Sequence, residues 1–127
     1  MRMILTALAI AAIAAPGSTR DRDQIPEATP AGKPESCIRT ISIRDTHVRS
    51  DSVIDFDMGG GKVYRNTLPY ACSGLGFEEK FLYKTSIGEL CSVDTITVLH
   101  DGPGGPGPTC GLGVFQPVTL VKAPKHP

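Results

Sequence analysis

The stretch DFDMGGGKVYRN (Asp55–Asn66) places three consecutive glycines between two segments of alternating side chains. In an extended strand, Ile54 and Phe56 share one face, while Asp55 and Asp57 share the other. Glycine readily adopts the positive φ angles that a tight hairpin turn requires. The stretch therefore predicts a β-hairpin that carries Asp55 and Asp57 side by side on its exposed face.

Two other interpretations of this stretch fail on residue type. A P-loop needs a hydroxyl residue after its Gly-Lys pair and then a helix, whereas Val63 follows Lys62 and a strand-like segment comes next. An EF-hand calcium loop that began at Asp55 would need a ligand at its fifth position and a glutamate at its twelfth, where Gly59 and Asn66 stand. We therefore predict neither a phosphate site nor a metal site in the turn.

Short alternating segments, rich in β-branched and aromatic residues, continue on both sides of the hairpin: CIRTISI (37–43), KFLYKT (80–85), LCSVDTITVLH (90–100) and GLGVFQPV (111–118). Such segments, separated by glycine-containing turns, are typical of antiparallel strands. Only residues 46–50 and 75–80 could be helical. We expect one small all-β domain over residues 37–121, an antiparallel barrel or sandwich of about six strands that is stapled by disulfides.

The apolar run from Ile4 to Ala15 predicts a secretory signal peptide. It is too short for a transmembrane helix, which needs roughly 20 apolar residues, so we expect no membrane span in the mature chain. Ala12 and Ala14 form an A-x-A cleavage pattern, and no cysteine for lipid attachment stands beside it. We therefore expect residues 1–14 to be removed and the mature protein to be periplasmic or secreted.

The flanking segments have compositions that do not favour a packed core. Residues 15–36 contain four prolines among small and charged residues, which predicts a flexible spacer. Residues 122–127 are expected to form a disordered tail. The whole chain has 13 basic and 13 acidic residues, and such a near-neutral chain has no electrostatic reason to bind nucleic acid.

Four cysteines, Cys37, Cys72, Cys91 and Cys110, are spaced without any C-x-x-C pair, which argues against a zinc or thioredoxin-like site. In an oxidising compartment they predict two disulfides, for which three pairings are possible. Cys91 and Cys110 each open a strand of one expected hairpin, so a bond between them is disfavoured.

The choice between the other two pairings depends on which strand lies beside CIRTISI. If CIRTISI pairs antiparallel with DTITVL (94–99), Cys37 lies near the loop that leads to Cys110. On this assumption we predict the disulfides Cys37–Cys110 and Cys72–Cys91.

Other candidates for chemistry are weak. No G-x-S-x-G motif surrounds any serine. His47 follows Asp45 closely and His100 precedes Asp101, so either histidine could act as a general base, although such residues are more often ordinary surface residues. We therefore predict no catalytic residue, no metal ligand and no cofactor.

Several motifs together resemble a family of small exported proteins of Gram-negative bacteria that is known only as a domain of unknown function. They are CIRTISI, VIDFDMGGGKVYRNTLPYACSGL, FLYKTSIGELCSVDTITVL and CGLGVFQPV, which carry the four ordered cysteines and cover nearly all of residues 37–118. The resemblance implies export and a single small domain. It brings no activity and no catalytic residue to this chain.

Two functions are open at this point. The favoured one is an exported, non-catalytic binding or structural module of the bacterial envelope, whose ligand or protein partner is unknown. Its candidate surface is the KVYRNTL strand with the glycine-rich loop, where Tyr64, Arg65 and Asn66 offer a ring, a fork of donors and an amide. The ordinary interpretation, which we favour for these three side chains, is that Tyr64 belongs to the core, Arg65 to the solvated surface and Asn66 to the turn. The alternative is a small periplasmic hydrolase or metal-assisted enzyme that uses Asp55, Asp57 and a histidine.

Overall fold

The computed structural model of the protein describes residues 25–85 and 87–121. The predicted signal peptide (1–14), the first part of the predicted spacer (15–24) and the predicted tail (122–127) lie outside the described residues.

The described residues form ten short strands, one 3-10 turn and one short helix. In chain order these are β1 (Ala28–Pro30), β2 (Cys37–Arg39), the 3-10 turn (Thr40–Ser42), β3 (Asp45–Val48), β4 (Val53–Asp57), β5 (Val63–Thr67), α1 (Leu75–Glu78), β6 (Phe81–Tyr83), β7 (Glu89–Cys91), β8 (Thr95–Val98), β9 (Thr109–Gly111) and β10 (Phe115–Leu120).

The strands form three antiparallel sheets. A five-stranded sheet has the order β1-β10-β5-β4-β3, a three-stranded sheet has the order β6-β8-β9, and β2 pairs with β7. The prediction of an all-β, antiparallel, disulfide-stapled domain is confirmed. The strands outnumber the predicted six because β1, β2, β6, β7 and β9 have three residues each, and a segment of that length is too short to show a clear alternation.

The core lies between the large sheet and the two smaller ones. It joins Ile54 and Phe56 from β4 to Ile96 from β8 and to Ile38 from β2. The Phe56 ring is fully buried and meets the Phe115 ring edge-on, with 5.5 Å between their centroids. Burial of one such side chain is worth roughly 1.5–3 kcal/mol, so the inward face of β4 stabilises the contact between the sheets.

One of the two expected helical stretches is helical. Leu75 anchors α1 in the core, and Glu79 ends the helix in the left-handed conformation, at φ 57°. Residues 46–50 belong instead to β3 and its continuation, where the β-branched Thr46 suits a strand. Among the described residues, no helix has the length and apolar character needed to cross a membrane.

Strand pairing begins at Ala28, before the predicted domain boundary at Cys37. Ala28 lies opposite Leu120 in the ladder between β1 and β10, and Glu35 and Phe115 exchange two backbone hydrogen bonds of 2.8 Å. Residues 28–30, which lie within the segment predicted to be a spacer, thus form the edge strand of the five-stranded sheet. An edge strand held by backbone hydrogen bonds needs no apolar pattern and tolerates proline, so composition does not reveal it.

The two disulfides join Cys37 to Cys91 and Cys72 to Cys110, with Cα–Cα distances of 4.0 and 5.9 Å. The predicted pairs Cys37–Cys110 and Cys72–Cys91 are wrong. The reason is the assumed neighbour of β2, which pairs with β7 rather than with β8 and so places Cys37 directly opposite Cys91. The expected hairpin of β8 and β9 does form, with Ile96 opposite Cys110, and it keeps Cys91 and Cys110 apart as expected.

A glycine next to the sheet provides a test of this packing. A Cβ atom on Gly113 would overlap the carbonyl oxygen of Thr67, whereas a Cβ atom on Gly111 would meet nothing within 4 Å. Gly113→Ala should therefore lower the free energy of unfolding by about 1–3 kcal/mol. Gly111→Ala is the matched control, and we expect it to be neutral or slightly stabilising. Urea denaturation of both variants measures the difference, and equal stabilities would contradict the close approach at Gly113.

Candidate functional site

The predicted hairpin at the three glycines is confirmed. Asp57 lies opposite Val63 across β4 and β5, and the Met58 amide donates to the Lys62 carbonyl at 2.9 Å. All three glycines between them have positive φ angles, of 82°, 64° and 81°. The Asp57 carboxylate accepts a hydrogen bond from the Gly59 amide at 2.8 Å, so it stabilises the turn from within.

Asp55 is fully buried, and the expectation that it is exposed is wrong. The Arg65 guanidinium binds its two carboxylate oxygens at 2.8 and 2.9 Å, and Nε of Arg49 binds it at 3.0 Å. Arg65 also donates to the carbonyl of Pro26 at 2.9 Å. Asp55 does lie on the outward face of β4, as the alternation predicts, but the two arginines cover that face.

A signal for this ion pair was present in the sequence. The turn is centred on Gly60, so the partner of Asp55 is the residue equally far on the other side, which is Arg65. Opposite charges at directly facing positions of an antiparallel pair attract each other. The hairpin prediction therefore implied the pair, although it could not show that the pair is buried.

The three predicted binding residues lie on different faces of β5. Tyr64 and Asn66 point into the core and are buried, whereas Arg65 is engaged with Asp55. The Asn66 amide donates to the Gly113 carbonyl at 2.7 Å, and its oxygen accepts from the Gly113 amide at 2.8 Å. Arg65 and Asn66 therefore hold the fold together, whereas Tyr64 also borders a cavity.

That cavity, named here the hairpin cavity, opens beside the end of the β4–β5 hairpin and measures about 380 Å³. Its lining comes from the segment just before β2, from β2 itself, from the 3-10 turn and from the hairpin, and consists of Glu35, Cys37, Ile38, Arg39, Ser42, Met58, Lys62 and Tyr64. The volume lies within the range of roughly 300–1,000 Å³ that is usual for small-ligand pockets.

The hairpin cavity has an apolar floor and a charged rim. Ile38 and Tyr64 are each only 4% exposed and form the floor. At the rim, Nζ of Lys62 lies 5.1 Å from the centroid of the Tyr64 ring. The Tyr64 hydroxyl raises the pKa of Lys62 above its ordinary value of 10.5, and the charge of Glu35 adds to this effect. Lys62 is therefore held as a cation by its neighbours.

A second cavity of about 390 Å³, named here the threonine cavity, lies against the three-stranded sheet. It is lined by Leu82, Lys84, Thr95, Thr97, Leu99, Pro106 and Thr109. Its apolar residues are exposed, Leu82 by 47% and Leu99 by 36%, so it lacks the buried floor of the hairpin cavity.

His47 and His100, the two histidines among the described residues, do not meet Asp55 and Asp57 in one site. His47 faces Asp55 across β3 and β4, but its Nε2 lies 3.5 Å from Asp45, and both oxygens of Asp55 are bound by arginines. His100 lies in another part of the fold, with Nδ1 3.0 Å from the Glu78 carboxylate. Within the part of the chain that the structure describes, the arrangement that the enzyme alternative requires is therefore not formed.

One group of potential metal ligands consists of Cys37, Glu89 and Cys91, whose ligand atoms lie within 4.8 Å of one another. The two sulfurs are bonded to each other, so neither is a thiolate that could bind a metal.

Comparison of the chain with models of protein families, with curated proteins and with solved structures finds no match. The resemblance to a family of exported proteins therefore stays a prediction. The structure itself therefore defines the class of protein. It is a disulfide-stapled antiparallel β domain with a cavity at the end of its central hairpin.

Proposed function

We propose that the protein is an exported, non-catalytic binding module of the bacterial envelope and that the hairpin cavity holds its ligand. The observation that carries the proposal is the combination of a buried apolar floor with charged groups around the opening. Ligand sites in proteins typically combine apolar walls, which bury the ligand, with a few polar groups that orient it. The hairpin cavity has both, whereas the apolar residues that line the threonine cavity are themselves exposed to solvent.

Export is supported by the signal-peptide pattern at residues 1–14 and by the two disulfides. Disulfides persist in oxidising compartments such as the periplasm and the extracellular space. These observations support our proposal that the mature protein is periplasmic or secreted.

We propose binding rather than catalysis because the acidic side chains of the enzyme alternative already interact with other parts of the fold. Asp55 is held by two arginines, and Asp57 stabilises the turn at Gly59. A general base must have an oxygen or nitrogen free to reach the proton that it removes. Asp55 has no free oxygen, and neither His47 nor His100 joins the two acids in one site, so a binding role is favoured over the enzyme alternative.

A variant that fills the hairpin cavity tests the proposal. Ser42 is half-buried in its wall, so Ser42→Phe should occupy the space and abolish binding. The ¹⁵N-labelled protein would be screened by NMR against small carboxylic acids, dipeptides and monosaccharides. We expect at least one compound to shift the amide signals of Ile38, Lys62 and Tyr64, and Ser42→Phe to remove those shifts.

The matched control is Thr95→Phe, which places the same ring in the threonine cavity and should leave the shifts unchanged. Well-dispersed amide signals from both variants show that each is folded. The proposal is wrong if no compound binds, if the shifts map elsewhere on the protein, or if they survive Ser42→Phe.

A further inference from the structure

The floor of the hairpin cavity determines the chemistry of the part of the ligand that would contact it. Ile38, Met58 and Tyr64 contribute aliphatic, thioether and ring surfaces, and the first and last of these are almost fully buried. A ligand that covers these side chains with apolar groups binds favourably, because both apolar surfaces leave water. The body of the ligand is therefore apolar or aromatic.

The rim carries two cations that differ in their surroundings. Lys62 interacts with the Tyr64 side chain and with the charge of Glu35, both of which raise its pKa. Arg39 is exposed and takes part in none of the ion pairs formed by the described residues, unlike Arg49 and Arg65. Within the described residues, the Arg39 guanidinium is therefore the rim cation that forms no ion pair, side-chain hydrogen bond or cation–π contact, whereas Lys62 lies over the Tyr64 ring.

Glu89 is the acidic residue placed to compensate Arg39, because the two face each other across β2 and β7. Its carboxylate instead lies within 4.8 Å of the sulfurs of Cys37 and Cys91. Glu89 does not line the cavity either. The lining thus contains two cations, Arg39 and Lys62, and one anion, Glu35, so that it has an excess of positive charge.

Resting on the proposed function, we propose that the hairpin cavity selects a small ligand with an oxyanion on an apolar body, and that Arg39 binds the oxyanion. A guanidinium presents its donors in a planar fork that matches the oxygens of a carboxylate, phosphate or sulfonate. Hydrogen bonds to charged groups contribute roughly 1.5–3 kcal/mol, or about tenfold or more in affinity.

Two fluorescent dyes with nearly the same aromatic body test this selection. The first, 8-anilinonaphthalene-1-sulfonate, carries a sulfonate, and the second, N-phenyl-1-naphthylamine, is its neutral counterpart. We expect the wild-type protein to bind the sulfonate dye about tenfold more tightly than the neutral dye. Arg39→Gln should remove this preference by weakening the sulfonate dye about tenfold while leaving the neutral dye unchanged. Arg39→Lys should retain part of the preference, because it keeps the charge without the fork.

The matched control is Arg44→Gln, which removes the same charge from an exposed position that does not line the cavity. It should leave both affinities unchanged. The inference is overturned if the wild type binds both dyes equally, if Arg39→Gln leaves their ratio unchanged, or if the sulfonate dye fails to bind. It is also overturned if sulfonate binding survives Ser42→Phe. Equal binding of both dyes that Ser42→Phe removes would overturn the inference and leave the proposed function standing.

Discussion

Asp55→Asn should lower the free energy of unfolding by about 3–5 kcal/mol, which is the usual cost of breaking a buried ion pair on one side. Asparagine has nearly the same shape as aspartate, so the packing around position 55 is preserved. The variant leaves the guanidiniums of Arg49 and Arg65 mostly buried, with 20% and 16% of their side chains exposed, and without their counter-charge. Small domains have a total stability of about 5–15 kcal/mol, so this loss is a large fraction of the whole.

Asp57→Asn is the matched control, because it removes a carboxylate two residues along the same strand. Asp57 is partly exposed, and an amide oxygen can still accept the hydrogen bond from Gly59. We expect this variant to lose less than about 1 kcal/mol. Urea denaturation followed by circular dichroism suits the protein, which has no tryptophan. Similar losses for the two variants would contradict a special role for Asp55.

A double variant distinguishes the net contribution of the ion pair to stability from the cost of removing one partner and leaving the other charge unpaired. Asp55→Leu combined with Arg65→Met replaces the pair with apolar groups of similar length. Such replacements are often neutral or even stabilising, because no charge is left without a partner. We expect the double variant to be more stable than Asp55→Asn, even though one guanidinium, that of Arg49, remains.

The local part of the fold could be predicted from the sequence. Alternation assigns Ile54 and Phe56 to the inward face, and the glycine run locates the turn that pairs β4 with β5. Both depend on residues close together in the chain, where side-chain period and backbone conformation decide the outcome. The face of Asp55 could be predicted on the same basis, but its burial depends on Arg49 and on Pro26 beyond the hairpin.

The pairing of distant strands could not be predicted in this way. Strands β2 and β7 are three residues long and lie far apart in the chain, so neither turn geometry nor alternation selects their partner. The error in the disulfides follows directly from this. The hairpin cavity escaped prediction for the same reason, since Ile38 and Arg39 come from one segment and Met58 and Tyr64 from another.

Removal of either disulfide should produce the other large loss of stability. The Cys72–Cys110 and Cys37–Cys91 bridges span 38 and 54 positions, and the chain-entropy treatment assigns about 4 kcal/mol to each. Peptide mapping under non-reducing conditions should first identify these two links. A peptide that joins Cys37 to Cys110 would contradict the pairing. Urea denaturation of the Cys72→Ala/Cys110→Ala and Cys37→Ala/Cys91→Ala variants then measures the two losses.

The order of the two losses of stability shows whether loop length or burial decides which disulfide contributes more. Loop length alone makes the Cys37–Cys91 bridge more stabilising, but only by a few tenths of a kcal/mol, because the entropy grows with the logarithm of the span. Cys72 is fully buried in the hydrophobic core and Cys110 packs against it, whereas Cys91 is buried outside that core cluster and Cys37 is partly exposed in the lining of the hairpin cavity. Loss of a buried sulfur also leaves a cavity that neighbouring side chains fill only in part. We therefore expect Cys72→Ala/Cys110→Ala to be the less stable variant, and the reverse order would mean that chain entropy outweighs core packing in this domain.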